Sequence, residues 1–127
     1  MRVKRAGDPR AELGKRGEEL AAAMLVRQGY QIVERNWHCR AGEVDIVACR
    51  GNSWYFFEVR TRRGDNFGTP EESLSAAKLE RMLQVALTYL ADHGIDPNDT
   101  DWSTGLVAIE MDRTGRVLRV EVYESVT

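Results

Sequence analysis

The chain has 127 residues, a formal net charge of −2 and 43% hydrophobic content. That suits one domain, residues 1–127, around one core, and excludes a disordered chain. No apolar run reaches the length of a membrane span, and the basic opening MRVKRAGDPR leads into no apolar signal region, so a cytoplasmic protein is expected.

The charge is uneven. Residues 1–63 hold 13 Lys+Arg against 8 Asp+Glu, and residues 64–127 hold 5 against 12. A basic half suits a polyanionic partner if it folds into one face. Cys39 and Cys49 have no disulfide-framework spacing, so reduced thiols are expected.

Asp8-Pro9 reads as a cap followed by proline at the first helical position. Leu13, Gly17, Leu20 and Met24 then recur at helical spacing as far as Gln28, and Gly29 ends the helix. YQIVERNWHC, EVDIVAC and SWYFFEVRT read as three strands. RAG and RGN separate them, so an antiparallel meander is expected. RRGDNFGTP is a loop, and Thr69-Pro70-Glu71-Glu72 carries a helix-start signature. A long helix is expected over roughly Ser75 to His93, with Leu79, Met82, Leu83, Ala86, Leu87 and Leu90 on its apolar side. WSTGLVAIEM and RVLRVEVYE flank DRTG as a final hairpin. Strand three must reach strand four through a helix, which implies a mixed sheet covered by helices.

Alternation along the second strand places Glu43, Asp45, Val47 and Cys49 on one face and Val44, Ile46 and Ala48 on the other. In the third strand Trp54, Phe56, Glu58 and Arg60 share a face. Asp45 and Glu58 are about equidistant from the Gly51-Asn52 turn, so they should be cross-strand neighbours that could project to one side. Two like charges there need compensation. Arg60 could supply it as part of an ion-pair cluster, or a divalent cation could turn the carboxylates into ligands.

Asp45 in GEVD followed by Glu58-Val59-Arg60 resembles the D…(E)xK signature of restriction-endonuclease-like nucleases, with Arg where Lys is usual. GKRGEELAAAMLVRQGYQIVERNW, GEVDIVA, FFEVRTRR and FGTPEESL, with Lys78, together resemble the YraN-like family of uncharacterised bacterial proteins. That family is similar to archaeal Holliday-junction resolvases, and the resemblance runs from Gly14 to about Leu90. It implies a restriction-endonuclease-like α/β core of helix, three antiparallel strands, helix and two strands. It also implies a DNA endonuclease using Mg²⁺ or Mn²⁺, with branched or repair-intermediate DNA as substrate and a homodimer as its form. Asp45 and Glu58 would be metal ligands, and Glu18 an accessory ligand or a residue that orients a water. Arg60 would stand where the lysine meets the scissile phosphate. Glu43 belongs to the motif without an assigned role.

Arginine stays protonated at any working pH, so Arg60 suits phosphate binding better than proton abstraction. Lys78 is a candidate for a lysine supplied from the second helix, or an exposed helix lysine. Ser103-Thr104-Gly105 stands where relatives often have Arg-Phe-Asp. Lys15, Arg16, Arg62, Arg63, Lys78 and Arg81 are candidates for a phosphate-binding rim, or a solvated charged face. RGDNFG is either a substrate loop or an ordinary connection, and Trp37 and Trp54 either stack on bases or pack in the core. His38, Cys39 and Cys49 lack the paired spacing of a zinc site. A non-catalytic nucleic-acid-binding module and a protein–protein adaptor are the alternatives to the nuclease.

Overall fold

The structure is a computed structural model, and it describes residues 9–64 and 68–127. The Asp8 cap and the middle of RGDNFG lie outside the described residues. The elements are α1 Pro9–Arg27, β1 Gln31–Cys39, β2 Gly42–Arg50, β3 Ser53–Arg63, a short 3-10 helix Glu71–Ser73, α2 Ala76–Asp92, β4 Asp101–Met111 and β5 Val117–Tyr123. This is the expected order of helix, three antiparallel strands, helix and two strands. No helix among the described residues is long and apolar enough to cross a membrane.

The five strands form one sheet in the order β1-β2-β3-β4-β5. Every neighbouring pair is antiparallel except β3–β4, which runs parallel from Ser53↔Asp101 to Arg63↔Met111. The crossover through α2 makes that pairing possible, and it mixes the sheet as expected.

Each helix covers one face. Gly17, Ala21 and Leu25 of α1 recur every four residues and are buried, with Ala21 and Leu25 packed on Ile46, Ala48, Phe57, Val107 and Ile109. The helix comes unusually close to β3, since a Cβ at position 17 would lie 2.0 Å from Thr61 Oγ1. On the other face α2 buries Met82, Val85, Ala86, Tyr89 and Leu90 against Val44, Val47 and Phe56. The expected apolar side differs here: Leu87 is 36% exposed, and Val85 and Tyr89 are buried instead. Tyr89 holds its place by edge contacts with Trp37 and Phe56, at centroid distances of 5.0 and 5.5 Å. Trp37 and Trp54 pack against the α2-side core.

The helix-start signature does not open α2. Thr69 N–H and Oγ1 donate to Glu72 Oε1, and Glu72 N–H donates back to Thr69 Oγ1 at 3.2 Å. This reciprocal cap sits on the 3-10 helix. Leu74 is extended, and Ser75 then caps α2 by accepting from Lys78 N–H at 3.0 Å. Arg119 on β5 ties the 3-10 helix to the sheet with two bonds to Glu71, at 2.7 and 2.9 Å. It also reaches Glu110 at 2.8 Å.

Strict alternation fails in β2. Val44 and Val47 both pack toward α2, while Ile46 and Ala48 pack toward α1. The expected grouping of Val44 with Ile46 and Ala48 is therefore corrected. Arg35↔Ile46 and Trp37↔Val44 are paired, but Asn36 and Asp45, which fall opposite each other between them, are not. Asn36 has φ +54°, the only positive φ at a non-glycine among the described residues. A left-handed residue turns the chain out of the pleat, and asparagine tolerates that conformation better than most side chains.

Candidate active site

The β2–β3 ladder runs from Arg50↔Ser53 to Ile46↔Phe57 and stops there. Asp45 and Glu58 are the next residues on each strand, so they sit where the two backbones part. Asp45 Oδ2 accepts the Val59 N–H at 2.7 Å, closing the gap with a side chain.

The two carboxylates do not project to one side. Asp45 lines a groove of about 210 Å³ under α1, together with Arg10, Glu18, Val59, Arg60, Thr61 and Arg62. Glu58 is 8% exposed and lies in a crevice on the α2 side, among Glu43, Val44, Phe56, Met82 and Val85. The expectation of a shared face fails because β2 loses its alternation at Asp45.

They still act on each other through the gap. Burial first, and then the Glu58 charge, push the Asp45 carboxyl up to about 7, against the Val59 N–H, which lowers it. Glu18 and Glu43 add further to the rise. Negative charge therefore accumulates around Asp45 beyond what the groove compensates.

Glu58 is compensated by two cations. Arg60 Nε lies 2.8 Å and Lys78 Nζ 3.4 Å from the same oxygen, Oε2. The Arg60 contact is an ion pair and not an aligned hydrogen bond. Lys78 is 21% exposed and turned to Glu58, so it is not an outward-facing rim lysine. Arg60 belongs to both sides, since it also lines the groove. Arg62 lines the groove, and its buried Nε has no hydrogen-bond partner among the described residues. Lys15, Arg16, Arg63 and Arg81 are exposed, and only Arg16 and Arg63 of these four come together, at the β4–β5 turn.

Asn36 is the residue that sequence reasoning missed. With its amide turned so that nitrogen faces the carboxylates, it donates to Glu18 Oε1 at 2.7 Å and to Glu43 Oε1 at 3.1 Å. One side chain thus fixes an acid of α1 to an acid of β2. The signal was an asparagine inside a strand pattern, where this residue is disfavoured.

Among the described residues, no three His, Cys, Asp or Glu side chains stand close enough together to form a ready metal cage. Glu18, Asp45 and Glu58 thus surround the strand gap without converging as a three-ligand set. The donor chemistry still fits a hard cation such as Mg²⁺, which binds one or two carboxylates and leaves its other positions to water and substrate phosphate.

Comparison with known proteins places these features in a family. The profile of the uncharacterised protein family UPF0102 matches residues 17–122, which hold Glu18, Asn36, Glu43, Asp45, Glu58, Arg60 and Lys78. The UPF0102 protein of Moorella thermoacetica is 43% identical over 115 residues, covering 91% of this chain and 94% of that protein. The UPF0102 protein of Roseiflexus castenholzii is 41% identical over 112 residues, covering 88% and 90%. Among solved structures, the Holliday junction resolvase Hjc of Archaeoglobus fulgidus is similar with a TM-score of 0.49 and 18% identity, covering 87% of this chain and 76% of that one.

Proposed function

This chain belongs to the uncharacterised protein family UPF0102, and from its site we propose that it is a divalent-metal-dependent endonuclease that hydrolyses phosphodiester bonds in DNA. One observation carries the reading. Where β2 and β3 part, a carboxylate surrounded by other carboxylates lines a groove whose rim is arginine. The resemblance of the GEVD and EVR segments to restriction-endonuclease-like nucleases supports it.

Asp45 would hold the ion in the groove, with Glu18 across from it, and Glu58 would become a ligand on turning through the strand gap, away from Arg60 and Lys78. A Mg²⁺ or Mn²⁺ ion supplies a lowered water pKa and a counter-charge for the phosphate and the leaving oxygen. The protein's own groups do the rest. Arg60 and Arg62 present guanidinium donors that match nonbridging phosphate oxygens and offset charge developing on them. Lys78 fixes Glu58 from the far side and brings an amine to the site, the group that β3 lacks at Arg60. Asn36 fixes the spacing of Glu18 and Glu43.

The test is cleavage of plasmid and of branched and single-stranded DNA oligonucleotides with added Mn²⁺ or Mg²⁺. Asp45→Asn and Glu58→Gln should each abolish cutting while the unfolding transition remains. Cutting that survives both substitutions refutes the reading.

A second reading is a DNA-binding module without cleavage. The pairing of Glu58 with both Arg60 and Lys78 favours it, because that carboxylate is already neutralised. Salt-sensitive DNA binding with no products under any metal condition would select it.

A further inference from the structure

Helix α1 holds two interior glycines, and only one of them has a packing reason. Gly17 is buried, and a Cβ there would meet Thr61 Oγ1. Gly14 is exposed, and beyond the helix itself nothing among the described residues lies within 4 Å of a Cβ placed on it. The helix runs unbroken over Pro9–Arg27, so Gly14 marks neither an end nor a break. An interior glycine destabilises a helix relative to alanine, through its backbone entropy. The folded chain gains nothing in return at this position.

Gly14 faces the groove. Arg10, Gly14 and Glu18 recur every four residues, and all three line it. Their stripe lies beside the Gly17, Ala21 and Leu25 stripe that is buried against the sheet. Arg10 and Glu18 stand one turn to either side of Gly14, about 6 Å away along the axis. The facing wall is β3, with Arg60 and Arg62, and Asp45 beside it. Side chains widen a helix from a Cα radius of about 2.3 Å to about 5–6 Å, so at Gly14 the α1 wall recedes by about 3 Å. The groove measures about 210 Å³, below the roughly 300–1,000 Å³ of ordinary ligand pockets. A side chain at position 14 would take up much of that space.

The facing wall names the occupant. Arg60 and Arg62 suit a phosphate, and the Arg62 Nε is buried without a hydrogen-bond partner among the described residues. A recess opposite those two groups suits the C–H face of the sugar next to that phosphate. Glycine is the residue that lets a backbone approach a ligand closely. We propose that Gly14 is a substrate contact, on whose backbone the sugar–phosphate chain of the bound DNA rests directly. This rests on the reading of the groove as a DNA site. Helix α1 then sets how deep the strand sits, and so how far its phosphate lies from Asp45.

The experiment compares stability and DNA affinity in Gly14→Ala and Gly14→Leu. Thermal unfolding in EDTA gives the first. Fluorescence anisotropy of a fluorescein-labelled DNA duplex at low salt, also in EDTA, gives the second. Both variants should unfold about 2–5 °C higher, because alanine and leucine are better helix formers than glycine. Both should bind DNA less tightly, about 3- to 10-fold for alanine and more than about 10-fold for leucine, as overpacking a close contact does. A merely structural role would not raise stability and lower affinity together. Arg60→Gln/Arg62→Gln should weaken binding as well. If it does, and the Gly14 variants bind like wild type, the contact at Gly14 alone is overturned. If it does not, or if wild-type protein binds no duplex, the DNA reading of the groove falls and this contact with it. A Gly14→Ala protein less stable than wild type also overturns the contact, since another part of the chain would then cover position 14. A changed gel-filtration elution of Gly14→Leu overturns it too, by giving that face to a second copy of the chain.

Discussion

Asn36 lies opposite Asp45 across the β1–β2 ladder, at a level where the pairing lapses and one residue has a left-handed backbone. The amide and the carboxylate are thus two halves of one local irregularity. It takes Asp45 out of the pleat and lets Asn36 hold Glu18 and Glu43. Asn36→Ala should cost about 1–2 kcal/mol, from the left-handed strain and the lost hydrogen bonds. Asn36→Gly should cost less, because glycine keeps the backbone. Urea unfolding of both measures the split, and an alanine variant as stable as wild type would remove the strain argument.

Asp45 titrates at about 7 in the folded chain against 3.8 for an ordinary aspartate. A raised value favours the protonated form, so the stability it contributes is full below about pH 4 and is lost as pH rises through 7. Asp45→Asn keeps an oxygen for the Val59 N–H and removes the charge. It should stabilise the metal-free protein by about 1–3 kcal/mol near pH 8, and by almost nothing near pH 4. Unfolding in EDTA at the two pH values measures this. A destabilised variant near pH 8 would show that the charge is already compensated.

Gly17 permits the close packing of α1 on β3. Gly17→Ala places a methyl 2.0 Å from Thr61 Oγ1, and the helix must shift, at about 2–3 kcal/mol. Thr61→Ala removes that oxygen and should recover part of the loss in the double variant. Additive losses in thermal unfolding would mean that the two side chains do not meet.

Hydrogen bonds from Arg119 first, and then Tyr123, hold the Glu71 carboxyl down to about 2, below the usual 4.5. That stability is present above about pH 4.5 and is lost as pH falls toward 2. The pair is partly solvated, so Glu71→Gln should cost about 1 kcal/mol at neutral pH. The difference should shrink as pH falls from 4.5 toward 2 and be smallest near pH 2. Urea midpoints at both pH values test the sign.

Under the nuclease reading, Arg60→Lys should raise kcat, because a lysine can release its proton to a water-activating role and an arginine cannot. The bidentate grip on phosphate weakens, so KM should rise as well. A fall in kcat would assign the guanidinium a role of its own.

Local patterns made most of the fold readable. Turn residues bounded β1, β2 and β3, and Pro9 with the apolar periodicity placed both helices within a residue or two. The gathering of Asp45, Glu58 and Arg60 at one strand end was legible from their distance to the Gly51-Asn52 turn. Their faces were not, because Asn36 breaks the alternation on which that reasoning depends, and nothing in β2 itself announces the break. The 3-10 helix was missed because its cap resembles that of a longer helix, and only Leu74 separates the two. Lys78 was legible as a candidate, but its contact with Glu58 depends on how α2 packs.

The parallel β3–β4 ladder joins residues 53–63 to residues 101–111. Strand β3 therefore acquires its second neighbour only after α2 and the following loop have been made. Until then a nascent chain presents a bare strand edge beside Phe56 and Phe57, which invites pairing with another chain. Release of the chain before its last hairpin should leave an aggregating intermediate and not a smaller folded domain.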